Sequence, residues 1–267
     1  EEKQTADFAK DLRYYIGKER AKKFYDGEGL MSPAIFDTVA WEPLRELLER
    51  RPQMFRLWYA KQCSGYCGTG QMLTRYDKDA SDACPNCGAY ETADHLNRCT
   101  NTVRRGLLKD SIETLVEWMK DQDTHPDILL WIPRYIATQG NRLFVDMPDR
   151  YKEKMTQEMR QVGNTLDRIG WRNFTEGKVS TRLLQMQQEH LRGAWLRRTI
   201  ASWTKGFLDQ LLSITHTQWI CRNLTKHHKT RGTQVLASRA QILREIEHQL
   251  SLGTDGLPEN ARCLLEI

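Results

Sequence analysis

The chain has 267 residues, of which 39% are hydrophobic and 28% are charged, and its formal net charge is +5. This length suits one large domain or two ordinary ones, and no apolar run is long enough to cross a membrane. The mild positive charge does not by itself identify a partner.

The N-terminus begins Glu1-Glu-Lys-Gln, which is not a signal peptide and carries no initiator methionine. We therefore expect the chain to be a piece of a longer protein. The seven cysteines are an odd number, and most of them lie between residues 63 and 99. This distribution argues against a disulfide framework and favours a reducing, intracellular compartment, either nuclear or cytoplasmic.

Apolar residues recur at helical spacing through the first part of the chain. The pattern predicts one helix over residues 5–25, a second over 35–51 and a third after Pro52. A glycine-rich loop follows from Cys63 to Gly70, and it lacks the Gly-Lys-Ser/Thr of a phosphate-binding loop. Cys63 and Cys67 in this loop are either ligands of a second metal or small buried thiols. Their spacing and the lack of a nearby histidine favour buried thiols.

The next stretch has the spacing of a metal site, with Cys84, Cys87, His95 and Cys99 in the order C-x2-C-x7-H-x3-C. Two cysteines separated by two residues can point inward from one turn, and Gly88 can take the positive φ that closes it. His95 and Cys99 are four residues apart and share a face of a helical turn. Three thiolates and one imidazole complete a tetrahedral site, so the sequence predicts structural zinc with no open position for catalysis.

Helical spacing returns after this stretch, over Thr102–Lys120 and in a short segment between Pro126 and Pro133. Residues 138–148 are predicted to form a loop, interpreted as the hinge between two halves of the chain. The predicted division is therefore 1–137, with N-terminal helices and the zinc knuckle at 84–99, a linker at 138–148, and a C-terminal α-helical region at 149–267.

The C-terminal region carries the longest regular apolar pattern, from Leu191 to Trp219, whose width suits a helix packed in a bundle. A helix from Pro148-Asp149 to Ile169 precedes it, and a last helix spans Val235–Leu250. No convincing alternating strand is found, with Arg142–Val145 the nearest candidate. The fold is predicted to be mainly α, with helical bundle-like halves around a small zinc-knuckle loop and little or no sheet.

Positive charge is concentrated between residues 192 and 244, where ten Lys or Arg face a single acid, Asp209. Such a segment either tracks a phosphate backbone or is a solvated helix face. The residues predicted to contact phosphate are Arg197, Arg198, Lys205, Arg222 and Lys226. His227 and His228 are interpreted as part of a polar helix end and not as metal ligands.

One carboxylate pattern could indicate catalysis. Pro148-Asp149 followed by Glu176-Gly-Lys178 superficially matches the arrangement of magnesium-dependent nucleases. Those enzymes gather the acids and the lysine on neighbouring strands, whereas both ends here lie in helix-like or loop-like sequence. A non-catalytic chain is therefore preferred, with a nuclease as an alternative.

Several of these segments together resemble the region downstream of the reverse transcriptase domain in non-LTR retrotransposon proteins of the algal and protist type. The segments that carry the resemblance are Lys61–Leu73, the Cys84-Pro-Asn-Cys87-Gly turn with Glu91-Thr, His95-Leu and Cys99, then Ile169-Gly-Trp-Arg-Asn-Phe174, Gly177–Ser180, Gln187, Leu191, Arg197-Arg198-Thr, Trp203, Trp219, Arg222-Asn223 and Leu252–Leu257. The resemblance covers roughly residues 35–260, and the predicted zinc ligands are its most specific part.

The resemblance implies a non-catalytic, Zn²⁺-binding accessory module of a retroelement polyprotein. Its expected partners are template RNA or target DNA and the upstream reverse transcriptase domain of the same polyprotein. The Tyr/Phe-x-Asp-Asp motif of the polymerase is missing from this chain, so we do not expect it to copy nucleic acid. The alternative from the residues alone is a zinc-stabilised docking module that presents its apolar helices to a partner protein.

Overall fold

The fold is mainly α, as predicted. The computed structural model describes residues 2–146, 155–193 and 199–228, with side chains from residue 14 to residue 226 of those ranges. Within them lie twelve α-helices and no strand. The helices are α1 (Glu2–Gly27), α2 (Pro33–Phe36), α3 (Trp41–Glu49), α4 (Gln53–Cys63), α5 (Gly70–Leu73), α6 (His95–Arg98), α7 (Thr102–Asp121), α8 (Pro126–Ala137), α9 (Gln157–Ile169), α10 (Trp171–Thr175), α11 (Thr181–Gly193) and α12 (Ile200–His228).

One large hydrophobic core joins helices from both predicted halves of the chain. Helix α8 buries one face completely, including Trp131 and Tyr135, and α9 does the same with Met159 and Leu166. The N-terminal half of α12 buries Trp203 and its neighbours in the same core. The wide apolar stripe predicted for α12 is therefore a buried face, at least from Ile200 onward.

The predicted hinge at 138–148 does not separate two folded halves. Residues Phe144–Asp146 form a 3-10 helix, and Phe144 is buried in the large core. The backbone N–H of Phe144 donates to Asp167 Oδ1 on α9 at 2.6 Å. The chain divides instead into compact units Glu1–Arg222 and Asn223–Ile267, so residues on both sides of the predicted hinge fold together. The predicted last helix, Val235–Leu250, lies outside the described residues.

A nearly continuous buried segment, residues 171–180, runs through the first unit. Positive φ angles turn the chain just before this segment, at Gly170 (89°), and within it, at Gly177 (85°). Its backbone pairs with residues far away in sequence, since Ala40 N–H donates to Val179 O at 2.9 Å and Thr181 N–H donates to Thr38 O at 2.8 Å. This pairing holds the turn between α2 and α3 against the centre of the unit.

Within the described ranges, we find no helix with both the length and the apolar composition that a membrane span requires.

Candidate metal centre

The structure brings together the four predicted ligands. The ligand atoms of Cys84, Cys87, His95 and Cys99 all lie within 4.8 Å of one another, and they are called the Cys/His cluster here. The sulfur atoms of Cys84 and Cys99 are 3.8 Å apart, and Cys87 Sγ lies 3.2 Å from His95 Nε2. Two thiolates bound tetrahedrally at about 2.3 Å from zinc are about 3.8 Å apart, so this sulfur pair already has the required separation. The cluster could hold a metal ion.

A tight turn presents the first two ligands. Gly88 takes a φ of 77°, which closes the turn and lets its N–H donate to Cys84 O at 2.9 Å. Cys84 N–H donates to Ala89 O at 2.7 Å, and an isolated antiparallel bridge joins Ala83 to Tyr90. The turn therefore has the knuckle form that the cysteine spacing predicts.

Two short helical elements present the other ligands. His95 begins α6, and Cys99 directly follows its last residue. Asn101 then caps α7, because its side chain accepts from the N–H groups of Val103 and Arg104. The same side chain donates to Asn86 O at 2.9 Å, so the start of α7 is tied back to the knuckle.

The thiols of Cys84 and Cys99 interact electrostatically. A hydrogen bond links the two thiols, and this bond together with burial raises the pKa of Cys84 to about 12. The pKa of Cys99 is lowered, first by that hydrogen bond and then by the N–H of Asn101 and the positive charge of Arg104.

A buried arginine, which sequence analysis missed, contacts the elements that carry the cluster. Arg104 on α7 is 1% exposed and donates from Nη1 to Asn86 Oδ1 at 3.0 Å and from Nη2 to Leu96 O at 2.5 Å. It also donates from Nε to Gln218 Oε1 at 2.5 Å, and Gln218 returns a bond to Arg104 O at 3.0 Å. The knuckle, α6, α7 and α12 meet at this side chain.

A buried ion pair fixes the other side of the knuckle. Glu91 and Arg222 are both almost completely buried, and Arg222 Nη2 lies 2.6 Å from Glu91 Oε2. The same oxygen accepts from Gly70 N–H at 2.6 Å. A Cβ at Gly70 would lie only 2.5 Å from Asp82 O, so this close approach of two loops requires glycine.

The predicted phosphate contacts are not all available at the surface. Lys205 is exposed on α12, and Lys226 is partly exposed near the end of that helix. Arg197 and Arg198 lie outside the described residues. Arg222 does not fit its predicted role, because its guanidinium is buried against Glu91 and cannot reach a phosphate. The charge count could not reveal this pairing.

Cys63 and Cys67 lie outside the Cys/His cluster, which is the one group able to hold a metal among the described residues. Burial raises the pKa of Cys63 to about 11 and that of Cys67 to about 12. Cys67 Sγ donates to Gln62 Oε1 at 3.2 Å, and Cys63 Sγ accepts from Lys178 Nζ at 3.3 Å. Both pKa values favour neutral thiols, of which Cys67 is buried and Cys63 is partly exposed.

The carboxylate considered for a nuclease site is enclosed in protein. Glu176 is 1% exposed, and its oxygens accept from Lys178 at 2.5 Å, from Arg172 at 2.9 Å and from Gln62 at 3.2 Å. Lys178 is fully buried, while Asp149 lies outside the described residues. This arrangement gives Glu176 and Lys178 a structural environment, because neither is placed to meet solvent-borne metal or substrate.

Searches against profiles of known protein families, curated protein sequences and solved structures found no match for this chain.

Proposed function

We propose that this chain is a zinc-stabilised α-helical module that binds RNA or DNA and does no chemistry of its own. The observation that carries the proposal is the Cys/His cluster, whose four ligand atoms lie within 4.8 Å of one another. Three sulfurs and one imidazole favour Zn²⁺ over hard cations, which prefer oxygen. Four protein ligands leave no position for water, so the metal holds the knuckle, α6 and the start of α7 in place.

The need for a metal follows from how little apolar surface surrounds the knuckle. The small core beside it consists of Cys67, Ala93 and Leu96, with Trp219 packed against them. So few apolar contacts do not offset the entropy of ordering the loop, and small domains of this kind use metals as staples. Zinc binding would supply the missing free energy.

The metal proposal is tested with the double variant Cys84→Ser plus Cys99→Ser. We expect the wild-type chain to purify with one zinc per chain, and the double variant to lose the metal and melt at a lower temperature. The matched control is Cys221→Ser, a partly buried cysteine of α12 that is not a ligand. Unchanged zinc content and thermal stability in the double variant would refute the metal site.

Nucleic-acid binding is supported by exposed aromatic and basic side chains between residues 61 and 90. Tyr66, Tyr76 and Tyr90 are 54%, 78% and 55% exposed, and the loops that carry them contact one another through Gly70 and Asp82. Lys61, Arg75 and Lys78 are exposed in the same stretch. Exposed rings are stacking platforms for unpaired bases, and cations bind the phosphates. Asp77, Asp79 and Asp82 are also exposed there, so stacking must contribute much of this contact.

A second group of basic residues is proposed to contact phosphates: Arg197, Arg198, Lys205 and Lys226. Arg222 is no longer included, because it is buried. The first experiment measures binding of the zinc-loaded chain to labelled single-stranded RNA and duplex DNA across a salt series. We expect a log–log slope of several negative units, which becomes flatter when Arg197, Arg198 and Lys205 are replaced by alanine. A dissociation constant near 10⁻⁴ M is typical of non-specific binding. Such a value, unchanged by these three substitutions, would contradict the proposal.

The setting we propose is the one implied by the sequence resemblance, an accessory region that follows a reverse transcriptase domain in a retroelement polyprotein.

One observation favours a protein-docking module as the second candidate. Met54 and Leu57 on α4 are 76% and 47% exposed and lie on one face of that helix. The docking function would be favoured if the protein self-associates or binds a polymerase domain through this face and does not bind nucleic acid. Replacing Met54 and Leu57 by lysine would then abolish the association measured by sedimentation.

A further inference from the structure

Arg104 has an unusual environment for an arginine. It is 1% exposed, and the three oxygens that accept from its guanidinium belong to an amide side chain of Asn86, the backbone of Leu96 and an amide side chain of Gln218. All three acceptors are neutral. No carboxylate is paired with it among the residues that the structure describes.

A buried charge is costly unless an opposite charge compensates it. The two other strongly buried cations of the first unit follow this rule, because Arg222 is paired with Glu91 and Lys178 with Glu176. Arg104 departs from it, so its counter-charge must come from something other than a described carboxylate.

The Cys/His cluster could supply that charge. Two of the groups that Arg104 holds are sequence neighbours of ligands, since Asn86 precedes Cys87 and Leu96 follows His95. Three thiolates around a divalent ion carry one net negative charge, which the single guanidinium would balance. This step rests on the proposed zinc site.

We propose that Arg104 is the counter-charge of the metal-bound Cys/His cluster and a positioning residue for its ligands. The buried guanidinium and the metal–thiolate complex form a neutral pair, in which each compensates the burial of the other. The two hydrogen bonds between Arg104 and Gln218 connect this pair to α12. Metal occupancy therefore stabilises the contact between α7 and α12 as well as the knuckle.

The test compares zinc affinities of the full chain carrying Arg104→Gln, Arg104→Lys or the control Arg105→Gln. Arg105 is the adjacent, exposed arginine of the same helix. Zinc dissociation constants come from competition with a chromophoric chelator, and the absorption of the Co²⁺-loaded protein reports whether the ligand set is intact. We expect Arg104→Gln to weaken zinc binding by about 10- to 100-fold, the range for lost outer-shell partners. Arg105→Gln should leave the affinity unchanged.

Arg104→Lys distinguishes a counter-charge from a purely structural brace. Lysine keeps the positive charge but loses the forked donor geometry, so we expect it to recover most of the affinity lost in Arg104→Gln. Two results would overturn the counter-charge proposal. In one, Arg104→Lys binds zinc as weakly as Arg104→Gln does. In the other, Arg104→Gln binds zinc as tightly as the control Arg105→Gln. A wild-type chain that binds neither Zn²⁺ nor Co²⁺ would instead refute the proposed function itself, and this inference with it.

If Arg104→Lys does not fold to the native helix content, a second comparison uses proteins that also carry Cys87→His. With two thiolates the metal-bound cluster is neutral and needs no counter-charge. Arg104→Gln should then weaken zinc binding less than it does in the wild-type background, because only the positioning of the ligands is lost. An equal loss from Arg104→Gln in both backgrounds would overturn the proposal.

Discussion

Glu176 shows how a single buried side chain can hold several elements together. Its carboxylate accepts from Lys178, Arg172 and Gln62, and the hydroxyl of Tyr59 donates to its backbone oxygen at 2.9 Å. These contacts link α4 to the buried segment 171–180. Removal of the negative charge would leave Lys178, which is fully buried, without its counter-ion.

We predict that Glu176→Gln lowers the free energy of unfolding by about 3 kcal/mol, because breaking a buried pair leaves an uncompensated charge. The control is Glu49→Gln, which removes an exposed carboxylate paired with Arg45 on α3 and should change stability little. Both are measured by urea denaturation of the zinc-loaded protein. Equal midpoints for the two variants would show that the buried pair contributes nothing.

The same carboxylate predicts a pH dependence. Burial alone would raise the pKa of Glu176, but the charges of Lys178 and Arg172 outweigh it, so the pKa lies below the ordinary value of 4.5. A lowered pKa in the folded state stabilises the fold above pH 4.5, and that contribution is lost as the pH falls through the folded-state pKa. The stability difference between wild type and Glu176→Gln should therefore shrink on acidification. A difference that grows instead would contradict the assignment. Comparing the two proteins cancels the effect of acid on the metal.

The four members of the Cys/His cluster could be predicted from sequence because all of them lie within residues 84–99 and their spacing alone brings them together. Arg222 could not be placed in the same way. Its partner Glu91 is 131 residues away, and a count of basic residues along one segment does not contain that information. Arg104 and Gln218, 114 residues apart, were missed for the same reason.

At the scale of elements, helical periodicity predicted most helices but not their interruptions. One helix was expected over 35–51, whereas the chain forms α2 and α3 with an extended turn between them. The turn exists because Val39 forms a bridge with Ser180, on a segment far along the chain. In contrast, the cap of α7 is local, since Asn101 directly precedes the helix that it caps.

Close packing between two elements makes Gly163 on α9 a sensitive position. A Cβ there would lie 2.2 Å from Phe144 Cδ1, and the Phe144 ring is held in the core by Tyr135 and Trp131. We predict that Gly163→Ala destabilises the protein by about 1–2 kcal/mol, because overpacking outweighs the gain in helix propensity. Differential scanning calorimetry would measure the resulting decrease in melting temperature.

Gly106 on α7 provides the matched control, because nothing lies within 4 Å of the Cβ that alanine would add there. Gly106→Ala should therefore stabilise the protein by about 0.5–1 kcal/mol through helix propensity alone. Changes of opposite sign in the free energy of unfolding would confirm that the packing of Phe144 against α9 determines the effect of alanine at Gly163. A stabilising Gly163→Ala would show that the 3-10 helix can move away.

Across the whole molecule, apolar burial is divided very unevenly. The large core takes residues from α1, α2, α3 and every helix from α7 to α12, whereas the core beside the knuckle has three buried residues and Trp219. Composition alone could not predict this division, because it depends on which helices pack together. If the Cys/His cluster binds zinc as proposed, the two regions should depend on the metal to different extents.

We predict that removing the metal unfolds residues 64–101 locally and leaves the large core folded. The few apolar contacts of that segment cannot replace four metal–ligand bonds, while the helices of the large core retain their packing. Hydrogen exchange followed by mass spectrometry, with and without a chelator, should show faster exchange in peptides from 64–101 and unchanged exchange in α8 and α9. The Cys84→Ser plus Cys99→Ser variant serves as the control, and its exchange should not respond to the chelator. Loss of protection throughout the chain would mean that the metal supports the whole fold, and unchanged exchange at 64–101 would mean that the knuckle folds without it.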